Sequence, residues 1–259
     1  MLELINVTKN FGGVRAVNNF SMQVHNSEIL GLIGPNGAGK TTVFNLITGI
    51  YKPDQGKILL AGVERPLNEL APHKIVACGV ARTFQNIRLF NNLTVLDNVK
   101  IALHTLPQYG FLSGVLGLPL VRRENKRVEA TAMEFLNLLG LAERAHMRAA
   151  GLPYGLARRL EIARALALSP RLLLLDEPAA GMNPDEIVEL RELILKIQQQ
   201  FRLTIVLIEH RMDLVMAICR RIVVLNFGTK LAEGSPAEIQ DNAAVLSAYL
   251  GGDYGHVAG

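Results

Sequence analysis

The chain has 259 residues, of which 49% are hydrophobic and 19% are charged, and its formal net charge is +4. This composition excludes a disordered protein, and the length allows one large domain or two small ones. Some basic residues form scattered pairs, but no basic run is interleaved with aromatic residues, which argues against a nucleic-acid groove. We interpret the pairs as a solvated face, with an anionic membrane surface as the alternative. The pairs are Arg122/Arg123, Lys126/Arg127, Arg158/Arg159 and Arg220/Arg221.

The two cysteines, Cys78 and Cys219, are far apart and lack metal-ligand spacing, so we expect small buried apolar residues in a reducing compartment. The N-terminus alternates like a strand and carries Glu3, which is not the pattern of a signal peptide. The most apolar stretch, 111–121, is shorter than the roughly 20 residues that span a bilayer, and it contains Pro119. The sequence therefore predicts a soluble protein that contacts a membrane only through a partner.

In chain order, the first third alternates short strands with turns, and a helix begins near Gly39 and ends near Ile47. Three helical patterns follow, separated by glycine-containing connections. Beyond residue 168 the predicted strands are continuous apolar runs, which is typical of parallel strands that are covered on both faces. The predicted strands are 2–7, 20–25, 29–33, 57–61, 80–84, 172–175, 204–208 and 222–225, and the helical stretches are 92–103, 125–141 and 154–168.

This order predicts an α/β core, residues 1–86 and 169–226, that is interrupted by a helical segment, residues 87–168. Residues 227–259 follow as a C-terminal hairpin and helices. Within them, the stretch 228–235 has the pattern of a small hairpin.

The strongest functional signal is the run of strand, glycine-rich loop and helix in residues 29–42, which has the spacing of a phosphate-binding loop. Its glycines allow backbone conformations in which successive N–H groups face phosphate oxygens. We expect Lys40 to reach the β- and γ-phosphates of a nucleotide and Thr41 to hold Mg²⁺. A glycine-rich turn that matches by chance is the alternative. The expected nucleotide contacts are Gly34, Pro35, Asn36, Gly37, Ala38, Gly39, Lys40, Thr41 and Thr42.

Two carboxylates, Asp176 and Glu177, follow the apolar run 172–175. Ligands of open α/β sheets collect at this end of the strands. Asp176 suits the magnesium shell, and Glu177 suits the activation or orientation of an attacking water. On its own, such a pair is equally consistent with a solvated strand end.

Two further strands end in polar residues: 204–208 delivers Glu209 and His210 to the same edge, and Gln85 ends another apolar strand. A histidine after a strand is more often structural, but sharing an edge with the other motifs favours a functional role. We expect Gln85 to complete the shell of Mg²⁺ and water, with a solvated amide as the alternative. Phe11, in a glycine-flanked turn, is expected to stack on adenine, with a place in the core as the alternative.

Residues 151–166 begin like a loop and end like a helix, whose start we place near Gly155. The first backbone N–H groups of a helix lack partners within it and favour an anion, and Arg158 and Arg159 follow within one turn. Pro153 at this end offers neither a hydroxyl nor an N–H.

Together these motifs resemble the ATP-binding cassette family of transport ATPases, in the family's order and at its spacing over nearly the whole chain. The resemblance implies an α/β P-loop NTPase (RecA-like) core with an antiparallel β subdomain and an inserted α-helical subdomain. It implies two cassettes packed head to tail, with each ATP held between the phosphate loop of one and the signature helix of the other. Within the catalytic set of Lys40, Gln85, Glu177 and His210, it implies that Glu177 is the base and His210 the γ-phosphate sensor, with residues 180–183 beside the dimer seam.

The signature departs from the family pattern Leu-Ser-Gly-Gly-Gln, because residues 152–156 read Leu-Pro-Tyr-Gly-Leu. The serine hydroxyl that donates to the γ-phosphate is missing, and a lost hydrogen bond to a charged group costs about 1.5–3 kcal/mol. Pro153, Tyr154 and Gly155 remain the expected contacts to the partner's ATP. If the partner is a different cassette, we expect the site on this chain's phosphate loop to turn over and the site that receives this signature to hydrolyse ATP slowly.

Further stretches resemble the larger cytoplasmic ATPase of branched-chain amino acid importers and its relatives for urea and short amides. These stretches are 81–99, 105–124, 177–186 and 248–253. The resemblance implies ATP and Mg²⁺ as cofactors and a peripheral place on the cytoplasmic face of the inner membrane. Its implied partners are a second ATPase subunit, different or identical, two transmembrane permease subunits and, indirectly, a periplasmic substrate-binding protein, with no nucleic acid.

Within transporters, an ATPase of a lipopolysaccharide exporter is an alternative, since such cassettes share the general motifs. A soluble cassette that acts on ribosomes or DNA is a second alternative, although those chains usually carry two cassettes or a long coiled coil. A binding-only regulatory cassette is a third, against which the intact Lys40, Asp176, Glu177 and His210 argue.

Overall fold

The structure, a computed structural model, describes residues 1–103 and 119–250. The stretches 105–124, 111–121 and 248–253, singled out above, therefore fall partly outside the described residues. The strands are β1 (Leu2–Phe11), β2 (Val14–Val24), β3 (Ile29–Ile33), β4 (Gln55–Leu60), β5 (Val80–Arg82), β6 (Leu172–Asp176), β7 (Thr204–Ile208), β8 (Arg221–Asn226) and β9 (Thr229–Gly234). The helices are α1 (Lys40–Ile47), α2 (Pro72–Ala77), α3 (Val95–Leu103), α4 (Pro119–Leu138), α5 (Tyr154–Ala167), α6 (Pro184–Phe201), α7 (Met212–Ile218), α8 (Pro236–Gln240) and α9 (Ala243–Leu250).

The strands form two sheets. The larger has the order β5-β6-β7-β3-β8-β9, in which the first five strands run parallel and β9 is an antiparallel edge. The smaller sheet, β2-β1-β4, is antiparallel. Because parallel strands end at the same edge, the residues that follow β3, β5, β6 and β7 are brought together there. This architecture confirms the predicted α/β core and the antiparallel subdomain.

Apolar residues on both faces of the larger sheet belong to two separate cores. Leu172 and Leu174 face the core beneath the antiparallel sheet and α1, whereas Leu173 and Leu175 face the core that contains α6 and α7. Alternate side chains of a strand point to opposite faces, so a continuous apolar run is what a strand covered on both sides requires. The interpretation of these runs as buried parallel strands is confirmed.

Helices α3, α4 and α5 pack on one another and form the helical block predicted between the two halves of the core. Leu136 of α4 and Leu160 of α5 are fully buried in the same apolar cluster as Leu173 of the sheet. The block and the sheet therefore share one core. The exact domain boundaries given above stay a prediction.

No described helix is both long and apolar enough to cross a bilayer. Cys219 is buried, as predicted, whereas Cys78 is only half-buried.

The prediction of a self-contained hairpin in residues 228–235 is wrong. This stretch holds one strand, β9, which pairs with β8 at the edge of the larger sheet. The turn between the two strands uses Phe227 and Gly228, both with positive φ (44° and 77°). Two consecutive positive φ values suit the tight two-residue turn of a hairpin, and the sequence analysis missed that its first strand lies upstream.

Candidate functional site

The phosphate-binding loop closes on the side chain of Lys40. Its ammonium group is buried and donates to the backbone carbonyls of Gly34 (2.7 Å) and Pro35 (2.9 Å). Burial lowers the pKa of Lys40, and the nearby carboxylates of Glu177 and Asp176 oppose that shift. A desolvated cation held by neutral carbonyls would gain from an anion such as phosphate.

Two glycines are required where the loop passes close to other backbone. A Cβ atom at Gly34 (φ 152°) would lie 2.0 Å from the carbonyl oxygen of Leu225, and one at Gly39 (φ 105°) would lie 2.3 Å from that of Ala16. The loop is thus fitted between β2 and β8.

The remaining loop residues divide into buried and accessible positions. Ala38 is buried and donates its N–H to Pro35 at 3.2 Å. Asn36, Gly37 and Thr41 are exposed, and Thr42 is half-buried. The backbone of the exposed part is therefore open to a ligand.

The acidic pair ends β6 as predicted, but its two carboxylates have different surroundings. Asp176 is buried and forms an ion pair with Arg82 of β5 at 2.7 Å. Glu177 has a left-handed backbone (φ 47°), and its N–H donates to the carbonyl of Ile208 at 2.9 Å. Such a conformation costs about 1–3 kcal/mol in a non-glycine residue and is concentrated at functional sites.

The structure brings three of the predicted residues together at one carboxylate. Oε1 of Glu177 lies 3.0 Å from Nε2 of His210, and Oε2 accepts a hydrogen bond from Nε2 of Gln85 at 2.9 Å. Glu177 is half-buried, while His210 and Gln85 are exposed at the sheet edge. The arrangement can hold and orient a proton-accepting carboxylate beside an accessible surface.

The donor atoms near the loop suit a hard cation such as Mg²⁺. Thr41 offers a hydroxyl, Asp176 a carboxylate, and Gln85 an amide oxygen that remains after its nitrogen has donated to Glu177. Mg²⁺ binds through one or two such groups together with substrate phosphates and water. The described residues contain no group of three or more His, Cys, Asp or Glu side chains that could hold a metal ion.

Phe11 is an exposed aromatic residue, so the alternative of a core position is wrong. Its ring is 40% exposed and packs edge-on against Tyr51, with 5.0 Å between ring centroids. The Nζ atom of Lys9 lies 5.5 Å from the Phe11 ring. The sequence analysis missed Tyr51. Its position two residues after Gly49, the glycine that follows α1, was the available signal.

The signature helix, α5, begins at Tyr154 with Pro153 in the capping position, where no side chain accepts an N–H. The Tyr154 ring lies beside Gly181, and a Cβ atom at Gly155 would be 2.8 Å from Oε1 of Glu186. Within this chain, the start of α5 therefore packs on Gly181, which precedes α6, and on Glu186 in the first turn of α6.

Arg158, interpreted above as part of a solvated face at this helix end, is fully buried, and that interpretation is wrong. Its guanidinium donates to the carbonyls of Phe84 (2.6 Å) and Gln85 (2.8 Å) and to the carboxylate of Glu161 (2.6 Å). The group points inward, where the loop backbone and an acidic partner accept hydrogen bonds from its two Nη atoms, while its buried Nε has no partner among the described residues. Lys126, Arg127 and Arg220 are exposed, as predicted, whereas Arg221 is half-buried and forms ion pairs with Glu28 and Glu233, so the interpretation is wrong for Arg221 as well.

The same face of α5 holds the rest of the loop that carries Gln85. Glu161 accepts the N–H of Phe84 at 3.1 Å, and Arg164 donates to the carbonyl of Arg88. Burial raises the pKa of Glu161 and lowers that of Arg164. The backbone of residues 84–88 is thus tied to the helical block rather than free to move alone.

The sequence analysis missed Arg82 and the roles of Arg158 and Glu161. A signal existed in each case, since Arg82 is a charge inside the apolar strand 80–84 and the other two interrupt an apolar helical pattern at i and i+3. Such charges are expected to be paired when buried.

We predict that Arg158→Met lowers the free energy of unfolding by about 3–5 kcal/mol, because it leaves the buried Glu161 carboxylate without its ion-pair partner. The double change Arg158→Met/Glu161→Met should cost less than this single change. Urea unfolding of the purified chain measures both. The control is Arg159→Met, whose more exposed pair with Glu189 should contribute less than about 1 kcal/mol. Additive losses in the double variant would contradict the prediction.

Comparison with known proteins agrees with this geometry. Residues 17–180 match the model of the ABC transporter family, and residues 229–255 match that of a branched-chain amino acid ATP-binding cassette transporter. The chain is 50% identical to the high-affinity branched-chain amino acid transport ATP-binding protein LivG of Salmonella typhimurium, over 93% of this chain and 94% of that protein. It is 46% identical to BraF of Pseudomonas aeruginosa, also named as a high-affinity branched-chain amino acid transport ATP-binding protein, over 97% and 98%.

A more distant relative is the lipopolysaccharide export system ATP-binding protein LptB of Acidithiobacillus ferridurans, which is 35% identical over 98% of this chain and 99% of that protein. Among solved structures, the ADP conformation of MJ1267, an ATP-binding cassette of an ABC transporter, matches with a TM-score of 0.83 and 29% identity over 97% and 98% of the two chains. The family match, the relatives and the site geometry agree, and the chain belongs to the ABC transporter family as one of its ATP-binding ATPase cassettes.

Proposed function

We propose that this chain is the ATP-hydrolysing subunit of an importer of branched-chain amino acids, attached peripherally to the cytoplasmic face of the cell membrane. The observation that carries the ATPase role is the Glu177 carboxylate, held by His210 and Gln85 at the edge where the phosphate-binding loop ends. The substrate class rests on the 50% identity to LivG over 93% of the chain and on the C-terminal match at 229–255.

Lipopolysaccharide export is a second candidate, because LptB matches nearly the whole chain at 35% identity. The lower identity ranks it below amino acid import. Reconstitution with the partner subunits separates the two, since uptake of radiolabelled leucine with ATP supports the first. A complex that hydrolyses ATP without accepting a branched-chain amino acid would contradict it.

MgATP is the proposed substrate. The phosphate groups would take the place that the carbonyls of Gly34 and Pro35 now hold at Lys40, because a buried ammonium group gains more from an anion than from neutral oxygens. Thr41, Asp176 and Gln85 would hold Mg²⁺, which neutralises charge on the β- and γ-phosphates. Phe11, with Tyr51 behind it, offers a ring face to adenine.

For hydrolysis, Glu177 acts as the general base that accepts a proton from the attacking water. Both of its oxygens are engaged in this structure, one by His210 and one by Gln85. Each carboxylate oxygen can accept a second hydrogen bond, so Glu177 can bind the water while these two contacts hold it in place. Release of His210 frees its Nε2 for the γ-phosphate, which fits its proposed role as a sensor.

The proposed partners are a second cassette, two membrane subunits and, indirectly, a periplasmic binding protein. A groove of about 830 Å³ lies between the core and the helical block, and its lining is predominantly apolar. Its exposed apolar side chains include Ile50, Val76, Phe90 and Ile101. The groove also touches Phe84 and Arg88 of the loop that carries Gln85, so a membrane subunit seated there would act on the site through that loop.

We predict that Glu177→Gln lowers ATP turnover by about a hundredfold or more while MgATP still binds, because the change removes the base and preserves the shape. Lys40→Ala should instead abolish binding. Calorimetric binding of MgATP and phosphate release by the assembled complex measure the two effects. If Lys40→Ala left the affinity for MgATP unchanged, the proposed nucleotide site would be wrong.

We predict unequal ATP sites if the partner cassette differs from this chain. Glu177→Gln should then abolish most turnover, whereas the corresponding change in the partner cassette should remove little. Pro153→Ser with Leu156→Gln should raise the slow site's turnover about ten- to a hundredfold, since it restores a donor to the γ-phosphate. The opposite ranking of the two base changes, measured by phosphate release, would reverse the assignment.

We predict that Ile101→Glu weakens assembly with the membrane subunits, because it places a charge in the apolar groove without touching the nucleotide residues. Val188→Glu is the matched control, since Val188 is a similarly exposed apolar residue on α6, outside the groove. Co-purification from detergent-solubilised membranes measures assembly. Equal loss with the two variants would argue against the groove as the docking site.

A further inference from the structure

Glu209, the residue before His210, is a buried carboxylate for which the mechanism above has no role. Its side chain is 2% exposed. Its acceptor contacts are all to backbone N–H groups: Oε1 accepts from Ala179 at 2.7 Å, and Oε2 accepts from His210 at 3.0 Å and Arg211 at 3.3 Å. One side chain thus joins two separate loops at the sheet edge.

The contacts fit an ionised carboxylate. Both oxygens already accept hydrogen bonds from N–H groups. A proton on either oxygen would therefore face another donor and would have no acceptor. Burial raises the pKa of Glu209 and the charge of Glu177 acts in the same direction, while the three N–H groups oppose both. Three charge-assisted hydrogen bonds in a buried place are strong and geometrically specific.

The two loops that Glu209 joins carry the two groups that meet at the candidate site. Ala179 follows Glu177 by two positions, and His210 is the residue whose ring contacts Glu177 at 3.0 Å. Strand β6 ends before Glu177, whose backbone is left-handed, and the segment with Ala179 follows. Strand β7 ends at Ile208, before His210. The ladder between β6 and β7 thus ends before both loops, and Glu209 supplies the acceptor that a further strand residue would otherwise provide.

We propose that Glu209 is a positioning residue of the ATPase reaction, whose carboxylate fixes the backbone of the Glu177 loop relative to that of His210. The proposal rests on the proposed function, in which Glu177 is the base and His210 contacts the γ-phosphate. Glu209 touches neither the nucleotide nor the water. It acts by keeping the Glu177–His210 geometry the same from one turnover to the next.

Two substitutions test separately the length and the charge of the Glu209 side chain. Glu209→Gln keeps the length, but its amide nitrogen faces an N–H donor, so one of the two loops is released. Glu209→Asp keeps the charge but is one methylene shorter and reaches only one loop. Both should lower kcat of the assembled complex by about ten- to a hundredfold. The Kd for MgATP should stay within about twofold, because the phosphate-binding loop is untouched.

The matched control is Glu28→Gln. Glu28 is another buried carboxylate (7% exposed) that accepts a backbone N–H, from His25 at 2.7 Å, but it precedes β3 at the opposite edge of the same sheet. It is also paired with Arg221. This change should lower the thermal unfolding temperature without changing kcat. Wild-type turnover in both Glu209 variants would overturn the proposal, as would wild-type turnover in Glu209→Asp alone, since charge rather than position would then be the cause.

A double-mutant cycle distinguishes positioning from a general structural defect. In a His210→Ala background, measured under single-turnover conditions, Glu209→Gln should lower the rate by no more than about twofold, because the group it positions is gone. The same fold-loss in both backgrounds would overturn the proposal. If the unsubstituted complex fails to bind MgATP, the proposed function itself is wrong and this inference falls with it. If that complex hydrolyses ATP and the Glu209 variants match it, only the inference fails.

Discussion

The candidate site depends on one constraint: the carboxylate of Glu177 must stay at the meeting point of several strand ends. Gln85 and His210, which contact it, lie 92 and 33 positions away in the chain. The parallel sheet brings these distant segments to a single edge, because each strand returns through a crossover to end on the same side. The left-handed backbone of Glu177 is held by its own N–H bond to Ile208, so the neighbouring strand offsets the strain.

Around this point, the helical block is tied to the core through the backbone of residues 84–88. Arg158 donates to the carbonyl of Phe84, and Glu161 accepts the N–H of the same residue. The side-chain amide of the next residue, Gln85, donates to Glu177. The apolar groove proposed for the membrane subunits is lined in part by Glu161, on the same helix face. A displacement of the helical block would thus be transmitted to Gln85 directly, through hydrogen bonds to a buried ion pair and not through a flexible connection.

The sequence predicted the parts of this arrangement that are set by local pattern. Strand β7 (204–208) has the predicted bounds, α1 begins one residue after Gly39, and Gln85, Glu177 and His210 meet as their strand ends indicated. The pairing of β9 with β8 was missed, although the two-residue turn Phe227–Gly228 between the strands was a local signal for a hairpin. The inward turn of Arg158 had one local signal, the i, i+3 spacing to Glu161, whereas its carbonyl partner Gln85 lies 73 positions away and could not be predicted.

The structure also shows which interactions the altered signature, residues 152–156, can still offer an anion. An anion at the start of α5 gains nothing from a side chain at Pro153, and Arg158 is committed to the interior. Arg159 is paired with Glu189 across to α6. What remains is the set of unpaired N–H groups in the first turn and the helix dipole, together a contribution of about 0.3–1 kcal/mol to an exposed anion. The direction of the helix is kept by the packing of Gly155 on Glu186, so, in the proposed dimer, the departure from the family pattern would remove binding energy for the partner's phosphate without removing the helix that would point at it.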